Sequence, residues 1–385
     1  MNDKKEFEIY IHLPFCKQKC EYCDFLSFPA EDTVKEAYVQ ALQKEICEEE
    51  ELCGRIVTSI FIGGGTPSLL SANQVVGLME TVQTKYAVAQ EAEITLEANP
   101  GTLTKEKLKA YREAGINRLS IGLQSAQNKE LRELGRIHTW EEFQESFSLA
   151  RQVGFTNINV DLMSALPGQS IATWKHTLKK VVELAPEHIS AYSLIIEEGT
   201  PFFERYQEDV KRRAAGEICL TLPTEAAERQ MYYDTAEILA AAGYYRYEIS
   251  NYSLPGYECR HNCGYWKRKD CRGFGLGAAS LLEPVRFYGT NDLQQYLRHD
   301  FPKVATMVLS KQEQMEEYLF LGLRLCEGIS SAHFQETFHC AFADIYGETC
   351  EKLIREKLLW RSGEQFGLTE RGIDLSNHVL SQFLF

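Results

Sequence analysis

Cys16, Cys20 and Cys23 stand in the stretch PFCKQKCEYC (residues 14–23), spaced C-x3-C-x2-C. Three thiols cannot pair off into disulfides, and a closed structural zinc site takes four ligands. Three thiolates can instead ligate three irons of a 4Fe-4S cluster, leaving the fourth iron free to bind another molecule. A zinc site completed by His12 or Asp24 is the other chemistry this spacing admits. Of the remaining cysteines, Cys47, Cys53, Cys219, Cys326, Cys340 and Cys350 are scattered and read as small buried hydrophobes. Cys259, Cys263 and Cys271 lie around and after His261, in and beyond ECRHNCGYW (residues 258–266).

The elements that must position these residues alternate through the first half of the chain. Short apolar runs at residues 8–13, 58–65, 93–100, 118–125, 157–168 and 188–196 read as strands. Amphipathic stretches lie between them, such as residues 34–52, a segment from Ser71, and 104–115 with Thr104 as cap and Gly115 as stop. Such repetition predicts a parallel sheet, either a barrel or an open doubly wound sheet. Each strand ends in polar or glycine residues: the cysteine loop, residues 63–66, Glu97, Gln124 and Asp161. In both architectures ligands bind at the carboxyl ends of the strands, so these ends should converge on one site. After Pro201 the alternation fades. A long helix over 223–243 leads into a Gly-, Tyr- and Cys-rich stretch, and the tail reads as helices followed by a hairpin around Ser362-Gly363.

Composition narrows the partners. The 385 residues carry a net charge of −14, which is a poor footprint for nucleic acid. The tail from residue 311 resembles a winged-helix module, but it holds seven Lys and Arg against twelve Asp and Glu. Packing or protein contact suits it better than DNA. No run reaches the roughly 18 apolar residues of a membrane span, and the first nine residues lack a signal-peptide core. A cytoplasmic protein is expected, with at most weak membrane association, as monomer or dimer. Cytosolic thiols stay reduced, which disfavours disulfides.

The cysteine spacing, with Tyr22 before the third cysteine and GGGTPS at residues 63–68, resembles the signature of radical S-adenosylmethionine (SAM) enzymes. A narrower likeness rests on YIHLPFCKQKCEYCDF, FIGGGTPSLL, EANPGTL, NRLSIGLQS, VDLMSALPGQ, YEISNYS, HNCGYW and GFGLGAAS, in that order. Together they resemble the oxygen-independent coproporphyrinogen III oxidase family, and within it the HemW branch. The resemblance implies an α/β fold: a partial parallel (β/α) barrel of radical SAM type with a mostly helical, winged-helix-like C-terminal module. It implies that Cys16, Cys20 and Cys23 hold a 4Fe-4S cluster whose open iron SAM chelates. Cleavage of SAM then yields a 5′-deoxyadenosyl radical in this superfamily. Tyr10, Tyr22, Gly64, Gly65, Thr66, Glu97, Gln124, Arg136 and Asp161 match positions that contact SAM.

The chain departs from the oxidase at Phe25, where that enzyme carries one more cysteine. The HemW branch shares the replacement, and its members are regarded as heme chaperones that pass heme to acceptor proteins. The resemblance therefore implies heme and an unidentified heme-acceptor protein as partners. It associates His261, Tyr265 and Trp266 with heme, the imidazole as an axial ligand and the aromatic rings along the macrocycle. Cys259, Cys263 and Cys271 are open to a second metal site or a thiolate heme ligand. An oxygen-independent coproporphyrinogen III dehydrogenase is the alternative activity. The expected division is a radical SAM core over 1–240, a connecting region with the H-N-x-x-Y-W motif over 241–308, and a C-terminal module over 309–385.

Overall fold

The computed structural model describes residues 5–384. Six strands succeed one another: β1 (Glu6–Leu13), β2 (Ile56–Gly64), β3 (Ala87–Ala98), β4 (Arg118–Gln124), β5 (Ile158–Ser164) and β6 (His188–Ser193). Each pairs in parallel with the next, so their order in the sheet is their order in the chain. Right-handed crossovers step the chain one place along each time, and strand twist curls the sheet into a partial barrel. The helices between them begin where the sequence places caps. Ser71, Thr139 and Ser170 each close a capping box, and the Thr104 hydroxyl accepts from the Lys107 amide.

A fully buried parallel sheet is usually apolar on both faces. Here the strands alternate. Ile9, Ile11, Ile60, Ile62, Leu96, Leu119, Ile121, Leu123, Val160 and Leu162 are buried against the helical layer. The intervening positions are polar: Glu8, Tyr10, His12, Ser59, Glu97, Ser120, Asn159 and Asp161. The period-2 pattern therefore separates the packed core, outside the barrel wall, from a polar chamber inside it.

The sheet has twelve strands in all. β7 (Tyr245–Arg246) and β8 (Asn251–Ser253) extend the β6 edge antiparallel. On the other edge β9 (Cys271–Phe274) lies parallel to β1, followed by the antiparallel β10 (Ala279–Leu282), β11 (Val285–Tyr288) and β12 (Val304–Val308). The segment expected as a connecting region thus supplies six strands of the same sheet. Their short, Gly-broken runs carry little periodicity, so the sequence hides them.

The C-terminal module has its own core around Leu319, Phe334, Phe342, Tyr346, Leu353 and Phe366. Helices Lys311–Gly322, Ser331–Phe338 and Phe342–Arg355 pack on a small sheet of β13 (Ile329–Ser330), β14 (Leu359–Ser362) and β15 (Gln365–Leu368). The hairpin turns at Ser362-Gly363, with Gly363 at φ 60°. The module is fixed to the large sheet by Glu317, which accepts from Arg268 Nε (3.1 Å) and Arg286 Nη1 (2.6 Å). No helix among the described residues is long and apolar enough to cross a membrane.

Candidate metal and cofactor site

The cysteine loop springs from the end of β1 and is closed at its neck. The Cys16 amide donates to the Phe28 carbonyl (3.0 Å), and the Phe28 amide to that of Pro14 (2.8 Å). The glycine run after β2 is zipped to the same neck: Gly65 N–H donates to Leu13 O (2.8 Å) and Thr66 N–H to Phe15 O (2.7 Å). A Cβ on Gly65 would lie 2.6 Å from the Phe15 carbonyl oxygen, so this approach requires glycine. The three thiols are free and half-buried, and each faces polar neighbours. The Thr66 hydroxyl lies 3.9 Å from Cys16 Sγ, Arg136 Nη1 3.8 Å from Cys20 Sγ, and Ser27 Oγ 3.8 Å from Cys23 Sγ. Burial pushes the Cys16 thiol up, and the Ser27 and Thr66 hydroxyls pull it back. Among the described residues no three His, Cys, Asp or Glu side chains converge as ligands of one metal ion. A cubane takes each thiolate on a different iron, and three cysteines with polar neighbours fit that donor set.

Next to the loop, the inner ends of the strands form a ring of partnered polar groups. His12 Nε2 donates to Leu26 O (2.9 Å), which fixes the tautomer, so Nδ1 accepts from the Tyr10 hydroxyl (2.9 Å). Gly64 is at φ 111°, and a Cβ there would sit 2.5 Å from the His12 ring. Its amide donates to Glu97 Oε2 (3.0 Å). Burial, with the charge of Asp161 second, pushes the Glu97 carboxyl up to about 7. Asp161 is raised by burial too, against hydrogen bonds from Asn159 Nδ2 (2.8 Å) and Ser120 Oγ (3.0 Å). Gln124 leaves β4 at φ 73°, a left-handed conformation rare outside glycine and a mark of functional sites. Tyr22 packs on Phe202 with its ring 6.3 Å away, beside Arg136 and Cys20. Asn99 joins the two halves: it donates to Thr66 Oγ1 (2.9 Å) and accepts from Arg136 Nη2 (2.8 Å). A continuous set of contacts therefore runs Cys16–Thr66–Asn99–Arg136–Cys20. The expected site residues from Tyr10 to Asp161 gather at this mouth. Asn99, Ser120 and Asn159 were missed, although Asn159 sits two residues before Asp161 and so on the same face.

The H-N-x-x-Y-W residues lie at the other end of the chamber. Helix Arg260–Trp266 closes the barrel base. His261 is buried, stacked on Phe61 at 5.2 Å, with Nδ1 2.9 Å from Ser59 Oγ and 3.7 Å from Glu8 Oε2. Burial first, then Arg118, lowers the imidazole to about 3, so it is neutral. Cys259 is buried against Glu93, with Sγ 3.4 Å from Oε1, and Cys271 lies on β9. Tyr265 is exposed and Trp266 half-buried. The structure thus keeps His261 apart from the two aromatic residues of its motif. A chain of hydrogen bonds links base and mouth. Asn159 holds Asp161 and accepts from His188 Nδ1 (2.6 Å), His188 Nε2 accepts from Tyr247 OH (2.8 Å), and that hydroxyl accepts from the Cys259 amide (3.3 Å).

A curled parallel sheet with a three-cysteine loop at its mouth is the radical SAM architecture, and residues 10–181 match the Radical SAM superfamily. Residues 309–375 match the HemN C-terminal domain. The solved structure of coproporphyrinogen III oxidase (HemN) from Escherichia coli superposes with a TM-score of 0.83 at 22% identity, covering 99% of this chain and 90% of that one. Sequence relatives are closer. The heme chaperone HemW of Lactococcus lactis is 36% identical, with 99% of this chain and 98% of that protein covered. Those of Bacillus subtilis (97% and 98% covered) and Escherichia coli (98% and 97%) are each 35% identical. The chain belongs to the HemW family.

Proposed function

We propose that this protein is a heme carrier built on a radical SAM scaffold. Cys16, Cys20 and Cys23 hold a 4Fe-4S cluster, and the mouth residues Tyr10, Tyr22, Gly64, Gly65, Thr66, Glu97, Gln124, Arg136 and Asp161 hold SAM. The H-N-x-x-Y-W helix serves heme, which passes to an acceptor protein in the cytoplasm. When bound, the cluster supplies an electron and an open iron site. The chain's own residues bind and orient: Glu97 and Asp161 present carboxylates to the SAM cation, and Gly64 and Gly65 let the backbone approach it. The observation that carries the reading is Phe25. It is 69% exposed in the cluster loop, at the place where the oxidase carries a further cysteine.

The alternative is decarboxylation of coproporphyrinogen III, the activity of the oxidase whose fold this chain shares over 99% of its length. One experiment separates the two. Protein with a reconstituted cluster is given coproporphyrinogen III, SAM and a reductant without oxygen, and a second sample is titrated with heme. The carrier binds heme and leaves the porphyrinogen unconverted, and Phe25→Cys alone does not create turnover. Steady formation of protoporphyrinogen would replace the carrier reading with the oxidase.

A further inference from the structure

The two ends of helix Arg260–Trp266 face different surroundings. His261 is committed to the barrel interior by Ser59 and Phe61. Trp266 instead lines a groove of about 410 Å3 between this helix and the C-terminal module, with Lys267, Tyr318, Leu325, Ile329 and His333. Trp266 Nε1 is buried without a hydrogen-bond partner, while its ring is covered by the Arg324 guanidinium at 4.5 Å. A buried donor left unpaired is costly, and it marks a place where a ligand acceptor would be welcome.

We propose that heme binds in this groove with His333 Nε2 as an axial ligand to its iron, a placement that rests on the carrier reading above. The groove supplies each thing the ligand's chemistry requires. Trp266, Tyr318, Leu325 and Ile329 give a flat, largely apolar wall for a macrocycle. Lys267, paired with Glu327 at 2.7 Å, and the free Trp266 N–H are donors for propionate carboxylates. His333 sits in the first turn of helix Ser331–Phe338 with its side chain exposed, and its Nε2 has no hydrogen-bond partner among the described residues. Glu336 Oε2 stands 3.8 Å from His333 Nδ1. Tyr318 is held by its hydroxyl donating to Ser330 O (2.9 Å), and its ring lies 6.0 Å from that of His333. Two elements thus contribute, one from the barrel base and one from the module. His261 acts at a distance, by anchoring the helix that presents Trp266. A groove of this size covers part of a porphyrin and leaves the rest accessible to an acceptor.

The test uses the full chain with its cluster reconstituted, titrated with hemin and followed by the Soret band and electron paramagnetic resonance. His333→Ala should weaken binding at least tenfold and remove the imidazole-ligated spectrum, and free imidazole should restore that spectrum. His299→Ala, an exposed histidine elsewhere, should bind like the wild type. Unchanged affinity and spectrum in His333→Ala would overturn the groove while leaving the carrier reading intact. An equal loss in His299→Ala would mean scattered surface binding and refute the groove as well. A wild-type protein that takes up no hemin would overturn the carrier reading itself.

Discussion

Glu97 offers a direct test of the proposal that the barrel mouth holds SAM. Its carboxyl is pushed up to about 7 by burial and by Asp161, while the Gly64 amide pulls it down. Below that pH the group is neutral, and above it the charge faces a cationic ligand. SAM affinity should therefore rise with pH and level off above about 8. With a midpoint of about 7, the ionised fraction falls from roughly 0.9 at pH 8 to roughly 0.1 at pH 6. That is about ninefold in affinity, or about 1.3 kcal/mol. Glu97→Gln keeps an acceptor for the Gly64 amide at nearly the same shape and removes only the charge. Its affinity at pH 8 should drop by at least tenfold, to below the wild-type value at pH 6, and stay nearly flat between. Equilibrium titration of SAM into the cluster-loaded protein, repeated across this range, reads both numbers. A variant that retains the full pH slope would show that another group carries it and refute the assignment. For the ligand-free fold the sign is opposite. A carboxyl whose folded value is raised contributes stability that is present below about 4.5 and lost as pH rises through about 7.

Cys20→Ala should abolish the cluster, because two thiolates remain for four irons. Iron and sulfide analysis after anaerobic reconstitution checks it, and an intact cluster would remove Cys20 from the ligand set. His261→Ala deletes a buried ring stacked on Phe61 and removes the partner of the Ser59 hydroxyl, so thermal or urea unfolding should show a loss of about 2–4 kcal/mol. Heme affinity should weaken in that variant while the ligand-field spectrum stays that of the wild type.

The residues at the mouth were legible because their signals are local. A cysteine spacing, a glycine run and polar strand ends each occupy a few positions, and parallel topology carries them to one place. β1 to β6 were legible for a similar reason, since each is long enough to show its pattern between capped helices. Asn99 and Asn159 were not, because an asparagine two residues from a charged strand end has no pattern of its own; only the fold gives it Arg136 or His188 as partner. The division of the H-N-x-x-Y-W residues was also hidden. A helix of seven residues turns His261 and Trp266 to different environments, and sequence proximity suggested that they act side by side. The six short strands of 241–308 depend on pairing with β1 and β6, so their order comes from tertiary contacts and not from local propensity.

The plug at the barrel base also governs traffic. Helix Arg260–Trp266 is seated under the starts of β1 to β3, which leaves the end that carries the cysteine loop as the way in. On the proposed reading, incoming SAM and any electron donor would then share one doorway. A donor protein docked over Phe25 would hold that door shut, so reduction and ligand exchange would have to take turns. The order in which SAM and the donor are added should matter to the rate of cluster reduction.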